Sequence, residues 1–583
     1  MTTRGGADKP TPSDDRVRKF ERRVVEHIEV EDTISARAAG KRDRFASFKL
    51  MALWCGLWGL LVFANLTSRI AWPPDETRML AIAWEMWSQG HAWLPTLNGE
   101  LQLQPPLFFW LIHFGWKLFG VSNFWPQLVA PLGALASLFI IPRVARNLWS
   151  AEEDVARYSP FLLLGAFAFA LFSSAILPLT WMVTFVLLAV WALLIMWRKH
   201  DGRAWLLLAA ALSLGVLTVG LIMYAYILPI AFTAPLWTRL PHLRWRHWYS
   251  DVLTALGISI VAVALWLAIV AAGAGVQSMM RYVLEPWQGA TLTLFSLEPQ
   301  RWWYYAWFVP VAFLPWFVLP LAWMRLWYLR HDPFTDGFMF CFVWIMFSLV
   351  ILSLLPVKQP QLLLPLLPAS VLITSRVLFG SVLRRVYENA PLTGMAIPML
   401  LFGGALMVLP QIPDIGDLLP ETFSNLSVWI GIGVMAIGIA AAWLPHKDVA
   451  QRVLDTAAIC ILLVVFFLLG IAMPFNALYP KADVGLAIAE AQARGQTVAI
   501  VGDYAGEFNF PGRLRAPVQV VVPRNAVAWA KEHPDAAMVS RASDWNPYLI
   551  DNASPLFSTL YGDDYLRLFN AKQVLLPRVA PSP

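Results

Sequence analysis

Trp72-Pro73-Pro74-Asp75-Glu76-Thr77-Arg78-Met79-Leu80 decides the reading of this chain, because it stands directly after the first long apolar run, where ionisable side chains rarely sit without a task. Pro-Pro before Asp closes one element and opens another, so the cluster starts a helix from a loop at a membrane surface. Around it, a chain of 583 residues is 58% hydrophobic and 14% charged, with 30 Trp and 35 Phe, more apolar matter than a soluble core takes up. That composition predicts a polytopic α-helical membrane protein. A net charge of +6 would point to nucleic acid in a soluble protein, but here the basic residues gather in short segments between apolar runs. The pattern is membrane topology and excludes a nucleic-acid footprint. Cys55, Cys341 and Cys460 lie inside apolar runs without paired spacing, so neither a disulfide frame nor a metal knuckle is expected.

Apolar runs of bilayer-crossing length number about thirteen, near 48–70, 125–142, 158–177, 179–197, 204–220, 221–237, 251–273, 303–323, 337–355, 360–378, 393–410, 427–444 and 455–474. Residues 1–47 are polar and charged, which argues against a cleavable signal peptide and leaves the first run as an anchor. Alternate loops carry the positive charge, among them Arg143 and Arg146, Arg198 and Lys199, Arg239 and Arg244, Arg384 and Arg385, and Lys447 and Arg452. Those loops and the basic tail are predicted to be cytoplasmic. Span parity then puts Asp75, Lys358 and the C-terminal segment on the extracytoplasmic face, the periplasm of a bacterial inner membrane. The expected organisation is a cytoplasmic tail at 1–47, a transmembrane domain at 48–475 with outer loops 71–124 and 274–302, and a small outer α/β domain at 476–583.

In the first outer loop, Glu76 to Gln89 reads as a helix closed by Gly90, with Leu80, Ala83, Trp84 and Trp87 on one face, lying along the interface. After residue 475 the pattern predicts helices at 482–494 and 525–532 and strands at 497–501 and 518–522. Gly502-Asp503-Tyr504-Ala505-Gly506 lacks the spacing of a phosphate loop.

A carboxylate withdrawn from water has its pKa raised towards the working range and can act as a general base, which makes Asp75 the first catalytic candidate. The same residue suits the N-cap of the following helix, and the two roles are compatible. Glu76 is the second candidate, able to orient an acceptor or help hold a divalent cation; its plainer role is a favourable charge in the first helical turn. No metal ligand set is visible, and any cofactor is unknown. Arg78, Lys358, Arg281 and Arg301 are the basic candidates near membrane level on the outer side, suited to a phosphate group whose charge grows as it departs. Lys358, in Leu355-Pro356-Val357-Lys358-Gln359-Pro360-Gln361, runs against the charge bias there, with snorkelling to headgroups as its alternative. Glu85, Gln104, Glu285, Tyr304 and Tyr305 are candidates to contact substrate.

Several of these stretches resemble a known family. Asp75-Glu76-Thr77-Arg78, Leu97-Asn98-Gly99, Gln104-Pro105-Pro106-Leu107 with Trp110, and Phe119-Gly120 follow in the order seen in the outer loop of the bacterial aminoarabinose transferases. Those enzymes stand with the protein O-mannosyltransferases among the GT-C glycosyltransferases. Lys358-Gln359-Pro360-Gln361 with Leu364 to Pro368, Trp303-Tyr304-Tyr305 to Trp316, and Phe508-Asn509-Phe510-Pro511-Gly512-Arg513 are similar to later motifs. The resemblance implies a GT-C fold and transfer of a sugar from a polyprenyl-phosphate donor to an acceptor reached from the outer side: an envelope lipid such as lipid A, a glycan or a protein. Asp75 matches the family's first catalytic acid, and Arg78 and Lys358 match positions tied to the donor phosphate. The chain departs from the pattern in three places: Gln104 replaces a Lys, Ala175 to Thr180 offers no second acid, and Gln361-Leu362 stands where the later loop often has an aromatic after its Pro. A non-catalytic lipid-linked-sugar binder or partner subunit and a lipid-linked glycan transporter are the alternative readings.

Overall fold

The computed structural model describes residues 47–199, 203–238, 244–284, 301–329, 335–355, 358–380, 421–443, 448–469, 479–541, 554–562 and 564–575, together with 399, 400, 403, 404, 406–408, 411 and 476. By contact the chain falls into two units, Met1–Gly56 and Leu57–Pro583. The described part of the first is the start of the helix Ser47–Ser68. All that follows concerns the second.

Among the described residues, seven helices are long and apolar enough to cross a membrane: Ser47–Ser68, Phe124–Leu148, Leu179–Arg198, Trp245–Ala274, Asp336–Leu354, Pro360–Phe379 and Val449–Phe467. Shorter apolar helices cover Leu107–Phe119, Ala204–Val219, Ile222–Phe232 and Val428–Ala440. Two of the expected spans are interrupted. The run at 158–177 divides into Glu153–Leu164 and Phe167–Phe172 around Gly165, whose position lies against the backbone of Ala457 and leaves no room for a side chain. The run at 303–323 divides into Tyr304–Ala312, a 3-10 turn at Trp316–Val318 and Pro320–Leu329, because Pro310, Pro315 and Pro320 remove backbone donors. Most of the expected span 393–410 lies outside the described residues.

Helix packing here rests on small residues and on indole N–H groups, as expected where lipid supplies no hydrophobic drive between helices. Gly133 admits the 179–199 helix so closely that Thr184 Oγ1 donates to its carbonyl at 2.6 Å. Trp181, Trp58 and Trp316 donate to the carbonyls of Val129, Pro131 and Leu162 at 2.8, 3.0 and 2.7 Å, which satisfies indole N–H groups at the helix contacts.

The C-terminal segment forms a five-stranded sheet in the order β4-β3-β5-β7-β6, with β3 Val498–Val501, β4 Gln519–Val521, β5 Ala537–Arg541, β6 Phe557–Tyr561 and β7 Asp564–Asn570; β1 Thr96–Leu97 and β2 Glu100–Leu101 make a separate hairpin. β3 runs parallel to β4 and β5, and β7 runs antiparallel to β5 and β6. Helix Lys481–Ala493 covers one face through Val484, Ile488 and Ala491. Helix Ala526–Glu532 covers the other through Ala526 and Ala530.

This domain sits directly on the first loop. The helix Asp75–Gln89, closed by Gly90 at φ 75°, does not lie along an interface as its amphipathic face suggests; eleven of its residues are buried. The covering partner is the 508–514 turn. Trp84 Nε1 donates to the Leu514 carbonyl at 2.7 Å, Trp116 stacks on Phe510 at 5.3 Å, and Asn509 donates to the Asn98 side chain at 3.0 Å. That turn is held in place by two facing glycines: a Cβ on Gly485 would come within 2.6 Å of Gly512 N. Gly485→Val is expected to lower stability by about 1–3 kcal/mol, since the obstructing atom is backbone and a Gly-to-Val helix-propensity gain of a few tenths does not offset the overlap. Gly257→Ala, with nothing within 4 Å, is expected to be neutral or stabilising. Thermal unfolding of the detergent-solubilised variants compares the two.

Candidate active site

Asp75 is the first residue of its helix, not its N-cap: Pro74 occupies that position and no side chain caps the end. The capping reading therefore fails. Proline supplies the turn, and the carboxylate is left without a protein hydrogen bond among the described residues. It is 7% exposed, and burial raises its pKa to about 7, with Arg78 pulling it down and Glu76 pushing it up. Helical spacing of three residues brings Arg78 beside it.

Glu76 has a different task. One oxygen pairs with Arg69, and the other accepts from Trp72 N at 3.0 Å. Arg69 also donates to the Ser174 carbonyl at 2.7 Å and lies over the Trp72 ring at 4.7 Å. With both oxygens engaged, Glu76 fixes the 69–76 turn instead of presenting a cation ligand or meeting an acceptor. Among the described residues no three His, Cys, Asp or Glu side chains converge as a metal site.

The C-terminal domain contributes two charges to the same place. Lys481, 5% exposed, donates from Nζ to the Ala71 carbonyl at 2.5 Å. Burial lowers its pKa to about 8 against the attraction of Glu76 and Glu507. Glu507 accepts from Ala505 N at 3.0 Å; burial raises its pKa, and Lys481 and Arg78 draw it back. Arg69, Lys481 and Glu507 escaped the reading of the sequence. Arg69 looks like the end of an apolar span, and Lys481 like a helix start after Pro480. Glu507 directly precedes the Phe508–Arg513 motif, which was the one available signal.

Beside this cluster opens a cavity of ≈ 1540 Å³. Trp72, Pro73 and Pro74 form its wall next to Asp75; Leu463, Phe466 and Phe467 line its apolar part; and Tyr479, Tyr504, Glu507, Arg541 and Tyr561 close it from the C-terminal domain. It exceeds the usual volume of a small-molecule pocket and suits a long amphiphile.

The other candidates occupy distinct places. Lys358 is buried, its Nζ donates to the Leu355 carbonyl at 2.7 Å, and burial lowers its pKa. Tyr305 is tied to the same loop, its hydroxyl accepting from Gln359 N at 3.3 Å, with the Tyr304 ring at 5.4 Å. Arg281 is exposed next to Tyr282, which bonds the Gln102 carbonyl; Arg301 is exposed over Trp303 at 5.5 Å. Glu85 gives both oxygens to the backbone N–H groups of Asn98 and Gly99, at 2.6 and 2.9 Å. It anchors the β-hairpin turn, where Asn98 has φ 54°, and this structural work replaces the expected substrate contact. Gln104 lines a small cavity with Leu177, Pro178 and Leu179, so two of the three departures from the family pattern, the missing Lys and the missing acid, are spatial neighbours. Glu285 lies outside the described residues.

Residues 103–267 match the family model of dolichyl-phosphate-mannose-protein mannosyltransferases. An undecaprenyl phosphate-alpha-4-amino-4-deoxy-L-arabinose arabinosyl transferase of Pseudomonas paraeruginosa is 27% identical over 403 residues, covering 66% of this chain and 70% of the relative. A second transferase of that name, from Pseudomonas fluorescens, is 27% identical over 357 residues, covering 59% of this chain and 58% of the relative. The crystal structure of ArnT from Cupriavidus metallidurans in the apo state superposes with a TM-score of 0.73 at 18% identity, covering 91% of this chain and 100% of that one. The same protein bound to undecaprenyl phosphate gives 0.71, covering 91% and 99%. Fold and sequence together make this chain a multi-pass membrane glycosyltransferase of the GT-C type, similar to the bacterial aminoarabinose transferases.

Proposed function

We propose that this chain transfers a sugar from a polyprenyl-phosphate donor to an envelope lipid at the extracytoplasmic face of the inner membrane, with Asp75 as general base. The observation that carries the reading is Asp75 itself: a buried carboxylate with a pKa of about 7, free of protein hydrogen bonds among the described residues and next to a large amphiphile-sized cavity. Its relatives' names supply the donor class, an undecaprenyl phosphate-linked amino sugar. The apolar lining at Leu463, Phe466 and Phe467 favours a lipid acceptor over a soluble one.

In this mechanism deprotonated Asp75 takes the proton of the acceptor hydroxyl as its oxygen bonds to the anomeric carbon. The carbon–oxygen bond to phosphate breaks, and the electron pair stays on the phosphate. Arg78, with Lys358, meets the charge that grows there, an interaction stronger in the transition state than in the ground state. Arg281 and Arg301, both exposed, are assigned to drawing the anionic headgroup in by long-range attraction. Tyr304 and Tyr305 border the Lys358 loop and Gln104 the wall opposite Met79, so each is assigned to the donor side.

Asp75→Asn is expected to cut the turnover rate about 10²–10⁴-fold while leaving thermal unfolding unchanged. Because the base must be ionised, wild-type activity should rise with pH through about 7 and level off above it, and this limb should vanish in Asp75→Asn. Radiolabelled sugar transfer from a polyprenyl-phosphate donor in membranes measures both. A wild-type chain that binds donor and never turns over would instead be a binding subunit. Lys358→Ala should weaken donor binding about 10–100-fold, the worth of a charged hydrogen bond. Titration with polyprenyl phosphate checks this, and unchanged affinity removes Lys358 from the donor site.

A further inference from the structure

Arg541 stands where the sheet pattern calls for an apolar side chain. Alternation along β5 puts Ala537, Val539 and Arg541 on one face, and the first two belong to the apolar core with Val498, Ile500, Leu566 and Leu568. Directly across the ladder, Arg541 pairs with Leu566. A cation at the end of an apolar face opposes its own burial unless something compensates.

The protein supplies little compensation. Arg541 is half-buried on the wall of the ≈ 1540 Å³ cavity, and its guanidinium lies 5.4 Å from the Tyr561 ring. Among the described residues no carboxylate pairs with it. The two acids on the same cavity are otherwise placed: Asp503 is exposed, and Glu507 faces Lys481 and Arg78. A planar guanidinium beside an aromatic ring on a cavity wall is suited to bidentate recognition of phosphate or carboxylate.

Resting on the transferase reading above, we propose that Arg541 is the residue of the C-terminal domain that recognises an anionic group on the lipid acceptor, away from its reacting hydroxyl. The acyl part lies along Leu463, Phe466 and Phe467, and the anionic group reaches Arg541 at the domain end of the cavity. The donor phosphate is assigned elsewhere, to Arg78 and Lys358. The C-terminal domain thereby becomes the reader of the acceptor.

The test uses the full chain in neutral maltoside micelles, with acyl-matched phosphatidate and diacylglycerol as probes and polyprenyl phosphate as the donor arm. Wild type should bind phosphatidate about tenfold more tightly than diacylglycerol, the value of one charge-assisted contact. Arg541→Gln should bring that ratio close to one and Arg541→Lys should keep part of it, with polyprenyl phosphate affinity unchanged in both. Inorganic phosphate at millimolar concentration should leave phosphatidate binding unaltered, since the acyl chains carry the rest of the affinity. An unchanged ratio in Arg541→Gln overturns the assignment. So does a loss of polyprenyl phosphate affinity instead, which would put Arg541 in the donor site, or full competition by inorganic phosphate, which would make it a free-anion site. Failure of wild type to bind polyprenyl phosphate at all would count against the transferase reading and not against Arg541. Thermal unfolding of each variant separates misfolding from lost recognition.

Discussion

Burial of charge at the 69–78 turn is the constraint on which the rest of the structure depends. Three cations, Arg69, Arg78 and Lys481, and three carboxylates, Asp75, Glu76 and Glu507, interact in one partly dehydrated cluster. Removing one partner of a buried ion pair such as Arg69–Glu76 typically costs about 3–5 kcal/mol, because the other charge stays behind uncompensated. The cluster is therefore viable only with the C-terminal domain seated, since that domain brings Lys481 and Glu507. Trp84, Trp116 and Phe510 supply the apolar contact that seats it. Packing far from the reacting atoms thus governs the electrostatics around Asp75.

Within the cluster the carboxylates are not equivalent. Glu76 is consumed by Arg69 and the Trp72 amide, and Glu507 holds the Ala505 amide and faces Lys481. Asp75 alone is buried without a hydrogen bond among the described residues, so desolvation is the main influence on its pKa and outweighs the opposing pull of Arg78. Two adjacent acids in sequence end as one structural anchor and one chemically available group. Environment makes that division, and residue type does not.

Much of this was legible beforehand. The Asp75 cluster, the helix ending at Gly90, and the first strands of the C-terminal sheet follow from local signals: Pro-Pro before Asp, glycine after the last periodic residue, and short β-branched runs. Burial of the 75–89 helix was not legible, because its cover comes from residues about 430 positions later, and an amphipathic face is the same whether it meets lipid or a domain. Glu85 misled for a related reason. Its partners are backbone N–H groups of a turn, invisible to any side-chain pattern. β6 and β7 escaped because Phe557–Tyr561 and Asp564–Asn570 mix exposed and buried positions without a clean apolar run.

The missing Lys and the missing second acid acquire meaning from their shared location. Gln104 and Leu177-Pro178-Leu179 line one small cavity whose walls are otherwise Met79, Pro105, Phe108, Phe109, Thr218 and Val219. A cation kept there without a carboxylate, or the reverse, would be a buried unpaired charge, so loss of both together leaves the fold intact where loss of one would not. The Gln104 side-chain oxygen is nevertheless buried without a partner, a polar remnant in a wall that has turned apolar. Because Met79 lies one helical turn beyond Asp75, this wall lies behind the catalytic candidate, and its neutrality leaves Arg78 as the cation whose field Asp75 feels most. Burial outweighs the pull of Arg78 and holds the Asp75 pKa at about 7; a cation retained in this wall would drive it down and weaken Asp75 as a base.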